Sequence, residues 1–263
     1  MNDESPGAPG LLVSFLDGVW TLQFNRPHAR NAFDWPVRHL LIDALTTAAK
    51  DPRTRVVVLR GDQTAFSAGG DVSEMSQGEP DTAEKLAAGA LLIELIAEMP
   101  APVVAAVQGH AAGAGFSIAL ACDLIYTADN AKFSPSFALI GLSTDLSASY
   151  WIPRAIGIHR AKELLIGGVP LSAEEAHDLG IVSAVWPLAD FEFRLAERIE
   201  SLAHGPTLAF GAIKRLVNDS LTRSLREQTV AEIEEQLALV DSRDHGEGLT
   251  AFSERRPPEF LGH

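Results

Sequence analysis

Two glycine-broken turns are the parts of this sequence best suited to chemistry. "FSAGGD" (66–71) and "AAGAG" (111–115) each follow an apolar, β-forming run. Glycine lets the backbone approach a neighbouring group closely and is costly elsewhere. Each turn leads into an element whose first backbone N–H groups have no partner inside that element. Two such donors aimed at one point make an oxyanion hole, which holds a developing negative oxygen. The candidate donors are the N–H groups of Ala68 and Ala114. The residues alone leave a second possibility open, two tight turns with no ligand, since glycine turns are common.

Other chemistries fit the second turn less well. A phosphate loop of the Walker type ends in Gly-Lys-Ser/Thr, whereas Phe116 and Ser117 follow Gly115. A dinucleotide fingerprint needs a third glycine and an acidic residue further on, and both are missing. "GFSIA" is close to a nucleophile elbow, which places its serine directly after the strand. Ser117 lies well past Gly109, inside the apolar run. It reads better as a small helix residue bonding back to a carbonyl. No His, Cys and Asp cluster has the spacing of metal ligands, so no metal is expected.

The chain has 263 residues, 46% hydrophobic and 21% charged, with a formal net charge of −14. Such a polyanion is repelled by nucleic acid and by anionic membranes, so neither is expected as a partner. An anionic small ligand would need a local cluster of Arg or Lys. Cys122 is the only cysteine. That excludes an intrachain disulfide and suits a reduced, cytoplasmic setting. The opening "MNDESPGAPG" is polar and lacks a basic region followed by an apolar one, so residues 1–10 read as a flexible tail. The longest apolar run, Ala111 to Cys122, is shorter than the ~20 residues that cross a bilayer.

The elements that must position the turns follow from periodicity. "VWTLQFN" (19–25), "RVVVLRG" (55–61), "VVAAVQG" (103–109) and "IVSAVWP" (181–187) read as strands, and "LIYTADNAKFS" (124–134) as a strand, a turn and another β-like piece. Helical spacing predicts helices over 35–50, 83–99, "GFSIALACD", "SASYWIPRAIG" with an interruption at Pro153, and "RAKELLIGG". Ser172 and Glu175 match a capping box opening "SAEEAHDLG". From Asp190 the pattern is helical to Ser253, with breaks expected at Gly205-Pro206 and at Gly246. Alternating strands and helices followed by helices alone imply an α/β core with a helical C-terminal part.

"NRPHARNAF", "AFSAGGDVSEM", "PVVAAVQGHAAGAGFSIALACDLIYTADNAKFS", "GLSTDLSASYWIPRAIG" and "LSAEEAHDLGIVSAVWP" together resemble the crotonase superfamily, the enoyl-CoA hydratase/isomerase group. The resemblance runs from about Leu12 to Phe260. It implies an α/β crotonase-like spiral of ββα units with a helical C-terminal region. The boundaries are a tail over 1–10, a core over 11–200 and a helical trimerisation region over 201–263. It further implies a trimer or a dimer of trimers, and an acyl-CoA thioester whose oxygen sits between the N–H groups of Ala68 and Ala114. Coenzyme A then arrives as part of the substrate, and no separate cofactor is expected.

The departures from the family pattern narrow the chemistry. Family hydratases use two glutamates, which would fall at Ser117 and Phe137. Neither position is acidic here. Asp145 matches the position where family isomerases carry a single carboxylate. One carboxylate suffices to take a proton from one carbon and return it two carbons away. On local sequence alone a cap for the helix that follows is the better reading of Asp145, and only the family position turns it toward catalysis. Its apolar surroundings are expected to include Phe116, Phe137 and Trp151, which with Ser117 would line the substrate pocket. Asp145 also matches the nucleophile of 4-chlorobenzoyl-CoA dehalogenase, but that enzyme's His base has no counterpart near Ala90. An enoyl-CoA hydratase working with atypical residues, dehalogenation, thioester hydrolysis, or acyl-CoA binding without catalysis remain alternatives. Arg26, Arg30, Ala68 and Asp71, with the C-terminal Phe252, Arg255 and Arg256, resemble the family's CoA contacts.

Overall fold

A computed structural model describes residues 9–74 and 81–263. Residues 1–8 of the expected tail, and Met75 of "AFSAGGDVSEM", lie outside the described residues. Two sheets run through the core. The six-stranded sheet has the order β1 (Leu11–Leu16), β2 (Val19–Phe24), β3 (Val56–Arg60), β5 (Val103–Val107), β7 (Leu124–Ala128) and β10 (Ala184–Trp186). The four-stranded sheet has the order β4 (Ala65–Ser67), β6 (His110–Ala112), β8 (Lys132–Ser134) and β9 (Leu171–Ser172). All pairings are parallel except β1 with β2 and β8 with β9.

The same step repeats along the chain. A long strand enters the first sheet and a three-residue strand enters the second. β3–β4 leads to α2 (Thr82–Ala97), β5–β6 to α3 (Ala114–Ala121), and β7–β8 to α4 (Ala148–Ile156) and α5 (Ile158–Gly167). This is the expected spiral of ββα units. The corner between the sheets is tight. Gly109 turns it with φ +62°, and a Cβ there would lie 2.0 Å from the Thr64 carbonyl oxygen. Only glycine fits that approach. The long parallel strands are apolar on both faces because helices and the second sheet cover both. Hence β5, "VVAAV", is buried throughout.

α1 (Trp35–Lys50) has the expected bounds, with the Asp34 side chain capping the Val37 N–H. α6 (Ala173–Asp178) opens on the expected capping box of Ser172 and Glu175. The C-terminal part is α7 (Phe191–Ala203), α8 (Thr207–Asp219), α9 (Leu225–Leu239) and α10 (Arg243–Glu254).

Four points differ from the expected elements. Pro153 does not interrupt its helix, because α4 is short and continues through it to Ile156. β1 lies before the first expected strand. It is folded back by Asp17-Gly18, both at positive φ (48° and 82°), and Asp-Gly is a strong hairpin signal. The helix does not break at Gly246, which lies inside α10. The break comes earlier, where Ser242 accepts the His245 N–H as an N-cap. A further break precedes α9 at Ser224, where Ser224 and Glu227 form a second capping box.

Candidate functional site

The first turn is held by a buried asparagine. The Asn31 side chain donates to the Ala65 carbonyl (2.8 Å) and to Asp62 Oδ2 (3.1 Å), and accepts from the Arg26 N–H (2.9 Å). Its carbonyl accepts from Ser67 Oγ (2.7 Å). These contacts bring the 26–33 loop against β4. The Ala68 N–H then donates to the Arg30 carbonyl (2.9 Å), the Phe33 N–H to the Gly69 carbonyl (2.7 Å), and the Gly69 N–H to Ser67 Oγ (3.2 Å). Ala68 therefore does not supply the free donor expected of it, because its N–H already has an acceptor. Among the described residues the Gly70 N–H has none.

The second turn abuts the first. At Gly69, with φ +93°, a Cβ would lie 2.6 Å from the Ala112 carbonyl oxygen and 3.3 Å from the Ala114 nitrogen. Ala114 is the first residue of α3, where the helix offers its N–H no acceptor. All eight residues of α3 are buried. Its positive N-terminal end thus points at the junction of the turns from inside the core. A Cβ on Gly113 would lie 3.8 Å from the Phe137 ring, which walls the same junction.

Asp145 is fastened to this junction through its backbone. Its carbonyl accepts from Ser117 Oγ (3.1 Å) and from the Ala148 N–H (3.1 Å). The next two residues, Leu146 and Ser147, both have left-handed φ (45° and 63°). Such strain persists only where the surroundings over-determine it, and here the Leu146 side chain packs against α2 at Gly89. Capping does not explain the carboxyl. The N-cap of α4 is Ser147, and no side chain caps that helix. Oδ1 of Asp145 is buried without a hydrogen-bond partner. Burial pushes its pKa above the usual carboxylate range, and the charge of Arg38 pulls it back only in part.

Two site-forming residues carried no signal of their own in the sequence. Asn31 looks like an ordinary loop residue until its partners on β4 are known. Arg38 sits on the helical spacing of α1 as a solvated charge would. In the structure its guanidinium lies 4.7 Å from the Phe33 ring centroid and 5.9 Å from that of Trp35, near enough for its charge to act on Asp145 and Glu74.

Several expected pocket residues stand elsewhere. Phe116 is fully buried and packs on Phe133 with centroids 5.3 Å apart, so it offers a ligand no surface. Ser117 is fully buried, with its hydroxyl held by the Gly113 and Asp145 carbonyls. It is a brace for Asp145 rather than a lining residue. Trp151 faces a cleft at the other end of α3, with Leu120, Cys122, Asp123 and Ile181.

The expected CoA contacts divide in the same way. Arg26 is engaged by Asp34 (3.1 Å), Asp71 (3.0 Å) and the Ala32 carbonyl (2.8 Å), so Arg26 and Asp71 build the loop. Arg256 is held by Glu247 and Glu254. Arg30 and Arg255 are exposed and, among the described residues, form no ion pair. Phe252 is 86% exposed on α10.

Known proteins resemble this chain in sequence and fold. The family model described as "Enoyl-CoA hydratase/isomerase" matches residues 14–263. A "1,2-epoxyphenylacetyl-CoA isomerase" of Escherichia coli (strain K12) is 34% identical over 254 residues, 93% of this chain and 95% of that one. A "4-chlorobenzoyl coenzyme A dehalogenase-1" of Arthrobacter sp is 33% identical over 245 residues, covering 91% and 89%. The crystal structure of an enoyl-CoA hydratase from Polaromonas sp. JS666 superposes with a TM-score of 0.90 at 32% identity, covering 95% of this chain and 99% of that one. These relatives carry names of three different reactions, so the reaction has to be read from the side chains of the site. With a matching family model over nearly its whole length and the spiral of ββα units behind it, the chain belongs to the enoyl-CoA hydratase/isomerase family of enzymes.

Proposed function

We propose that this enzyme isomerises an enoyl-CoA thioester by moving one proton on Asp145. The buried, unpartnered carboxyl oxygen beside two glycine turns is the observation that carries the reading. Asp145 takes a proton from the carbon next to the thioester. The enolate oxygen is held by the N–H groups of Gly70 and Ala114, each worth about 3 kcal/mol in the transition state. The neutral carboxylic acid then returns the proton two carbons away. Charge develops on the oxygen only as the proton leaves, so the fixed donors favour the transition state over the ground state.

Water addition needs a second acid or base. The positions that would carry one hold Ser117 and Phe137, the first locked in hydrogen bonds and the second apolar. Dehalogenation needs a second base as well, and α2 contains no histidine. A panel of 2-enoyl-, 3-enoyl- and aroyl-CoA thioesters followed by mass spectrometry tests the proposal. A 3-enoyl thioester is expected to convert without change of mass. A product heavier by one water, or release of halide or free CoA, would overturn it. Binding with no conversion of any thioester would make the chain an acyl-CoA binder.

Arg30 is proposed to meet a phosphate of CoA, with Phe252 and Arg255 approaching from a neighbouring copy. Arg30→Ala is expected to weaken CoA binding about threefold to tenfold at low salt and less at high salt, because exposed charges are screened. Calorimetric titration at two salt concentrations checks this, and equal affinity at both would remove Arg30 from the site. Assembly as a trimer or a dimer of trimers is part of the same proposal. It is supported by an apolar groove of about 890 Å³ among α8, α9 and α10, lined by Ile213, Ile233, Leu237 and Leu249. Among the described residues no helix is long and apolar enough to cross a membrane. With Cys122 a buried free thiol, a cytoplasmic setting is proposed.

A further inference from the structure

Arg38 has no role in the chemistry described so far, yet it is built into the site. It lies on α1 at a position facing α2. Its Nη1 donates to the Lys85 carbonyl of α2, and its guanidinium stacks over Phe33 and Trp35. Its Nε is buried without a partner, as is Oδ1 of Asp145. Gly89 of α2 brings Arg38 close to the residue that follows Asp145. The position of a Cβ on Gly89 would lie 2.5 Å from Leu146 Cδ2 and 3.6 Å from Arg38 Nη1. One missing methyl group therefore separates the guanidinium from the residue next to Asp145. A side chain at Gly89 would displace Leu146 and touch Arg38.

Resting on the reading of Asp145 as the base, we propose that Arg38 is a positioning residue for it: its guanidinium, clamped between α1 and α2, is the fixed counter-charge that keeps the carboxyl ionised and ready to accept a proton. A carboxyl buried among apolar groups is otherwise driven to the neutral form, which cannot act as a base. The two groups form no direct ion pair among the described residues. That separation suits the task, because a tight Arg–carboxylate pair would occupy the oxygen that must reach substrate.

Among the described residues, Arg38 is the cation whose charge acts on Asp145. Glu74, whose carboxylate accepts the Trp35 N–H (3.1 Å), faces Arg38 and contributes negative charge. α3 carries no titratable side chain. α4 carries Tyr150 and Arg154, whose guanidinium stacks on the Tyr150 ring at 3.4 Å. α2 carries Glu84, Lys85 and Glu94, and the part of it that meets Arg38 is the Lys85 carbonyl.

The test is a carbon-13 NMR titration of the Asp145 carboxyl in the whole protein, assigned by its loss in Asp145→Asn. Arg38→Gln, Arg38→Met and Arg38→Lys are compared with the parent. Glutamine keeps a polar head without charge, methionine keeps the packing, and lysine keeps the charge. The titration midpoint is expected to move to higher pH in the Gln and Met variants and to stay near the parent value in the Lys variant. Isomerisation near neutral pH is expected to fall about tenfold for each unit of that movement and to recover as pH rises. Equal midpoints in the Lys and Gln variants would overturn the proposal. The titration needs no substrate, so it stands apart from the isomerase reading. That reading fails instead if Asp145→Asn retains turnover.

Discussion

Asp145→Asn is expected to lower isomerisation of a 3-enoyl-CoA thioester by about 10²–10⁴-fold, the usual contribution of a positioned general base. The change is nearly isosteric. The contacts that hold the residue use its backbone carbonyl, with Ser117 Oγ and the Ala148 N–H as donors. The fold and the affinity for the thioester are therefore expected to persist. Stability has a definite sign. The folded pKa of Asp145 is raised by burial. A raised carboxyl contributes most below its unfolded pKa, and that contribution is lost as pH rises through the folded value. At neutral pH the charge is a cost to the fold, so the asparagine variant should unfold at the same temperature or higher. Thermal unfolding and initial rates measured on one preparation check both halves. Undiminished turnover would remove Asp145 from the mechanism. A marked loss of stability would make it a structural residue.

Lys214→Met is expected to destabilise the protein by about 3–5 kcal/mol, the range for stripping one partner from a buried ion pair. Lys214 is 8% exposed on α8. Its ammonium donates to Asp123 Oδ2 (2.9 Å) and to the Ile96 carbonyl (2.7 Å) at the end of α2. The same Asp123 oxygen accepts the Val103 N–H at the start of β5 (2.7 Å). One side chain thus ties the C-terminal helices to α2 and to the central sheet. Burial lowers the pKa of Lys214 and raises that of Asp123 despite their attraction. Removing the lysine leaves Asp123 buried with only the Val103 N–H. Lys214→Met combined with Asp123→Asn should recover much of the loss, because no uncompensated charge remains. Urea unfolding of the two single variants and the double variant forms the cycle that checks this. Additive losses would show that the two groups do not act as a pair.

Helix patterns were legible where spacing and caps agree, as in α1 with Asp34 and α6 with its capping box. The order of the core strands was legible from β-branched runs. Of the second sheet only β8 was legible, as a β-like piece after the turn that follows β7; β4 and β6, three residues each, are too short for alternation to register. The site was legible in part. Two glycine turns and Asp145 were marked by residue type and by family resemblance, but the choice between Ala68 and Gly70 was not. It depends on the Arg30 carbonyl, which reaches Ala68 only after Asn31 has drawn its loop against β4. Arg26, Asp71 and Arg256 show the same limit. A charge in sequence carries no sign of whether a neighbour already holds it. Trp151 and Phe116 were placed in the pocket by hydrophobicity, which shows that a ring is buried without showing against what.

The most direct measurement uses a 3-enoyl-CoA thioester carrying deuterium on the carbon next to the thioester, in a single turnover with excess enzyme in ordinary water. A lone buried carboxyl that takes and returns the same proton should carry part of the label two carbons along, into the 2-enoyl product. Asp145→Asn should show no transfer. A product whose new hydrogen comes wholly from solvent, or one that has gained a molecule of water, would contradict the single-carboxylate account.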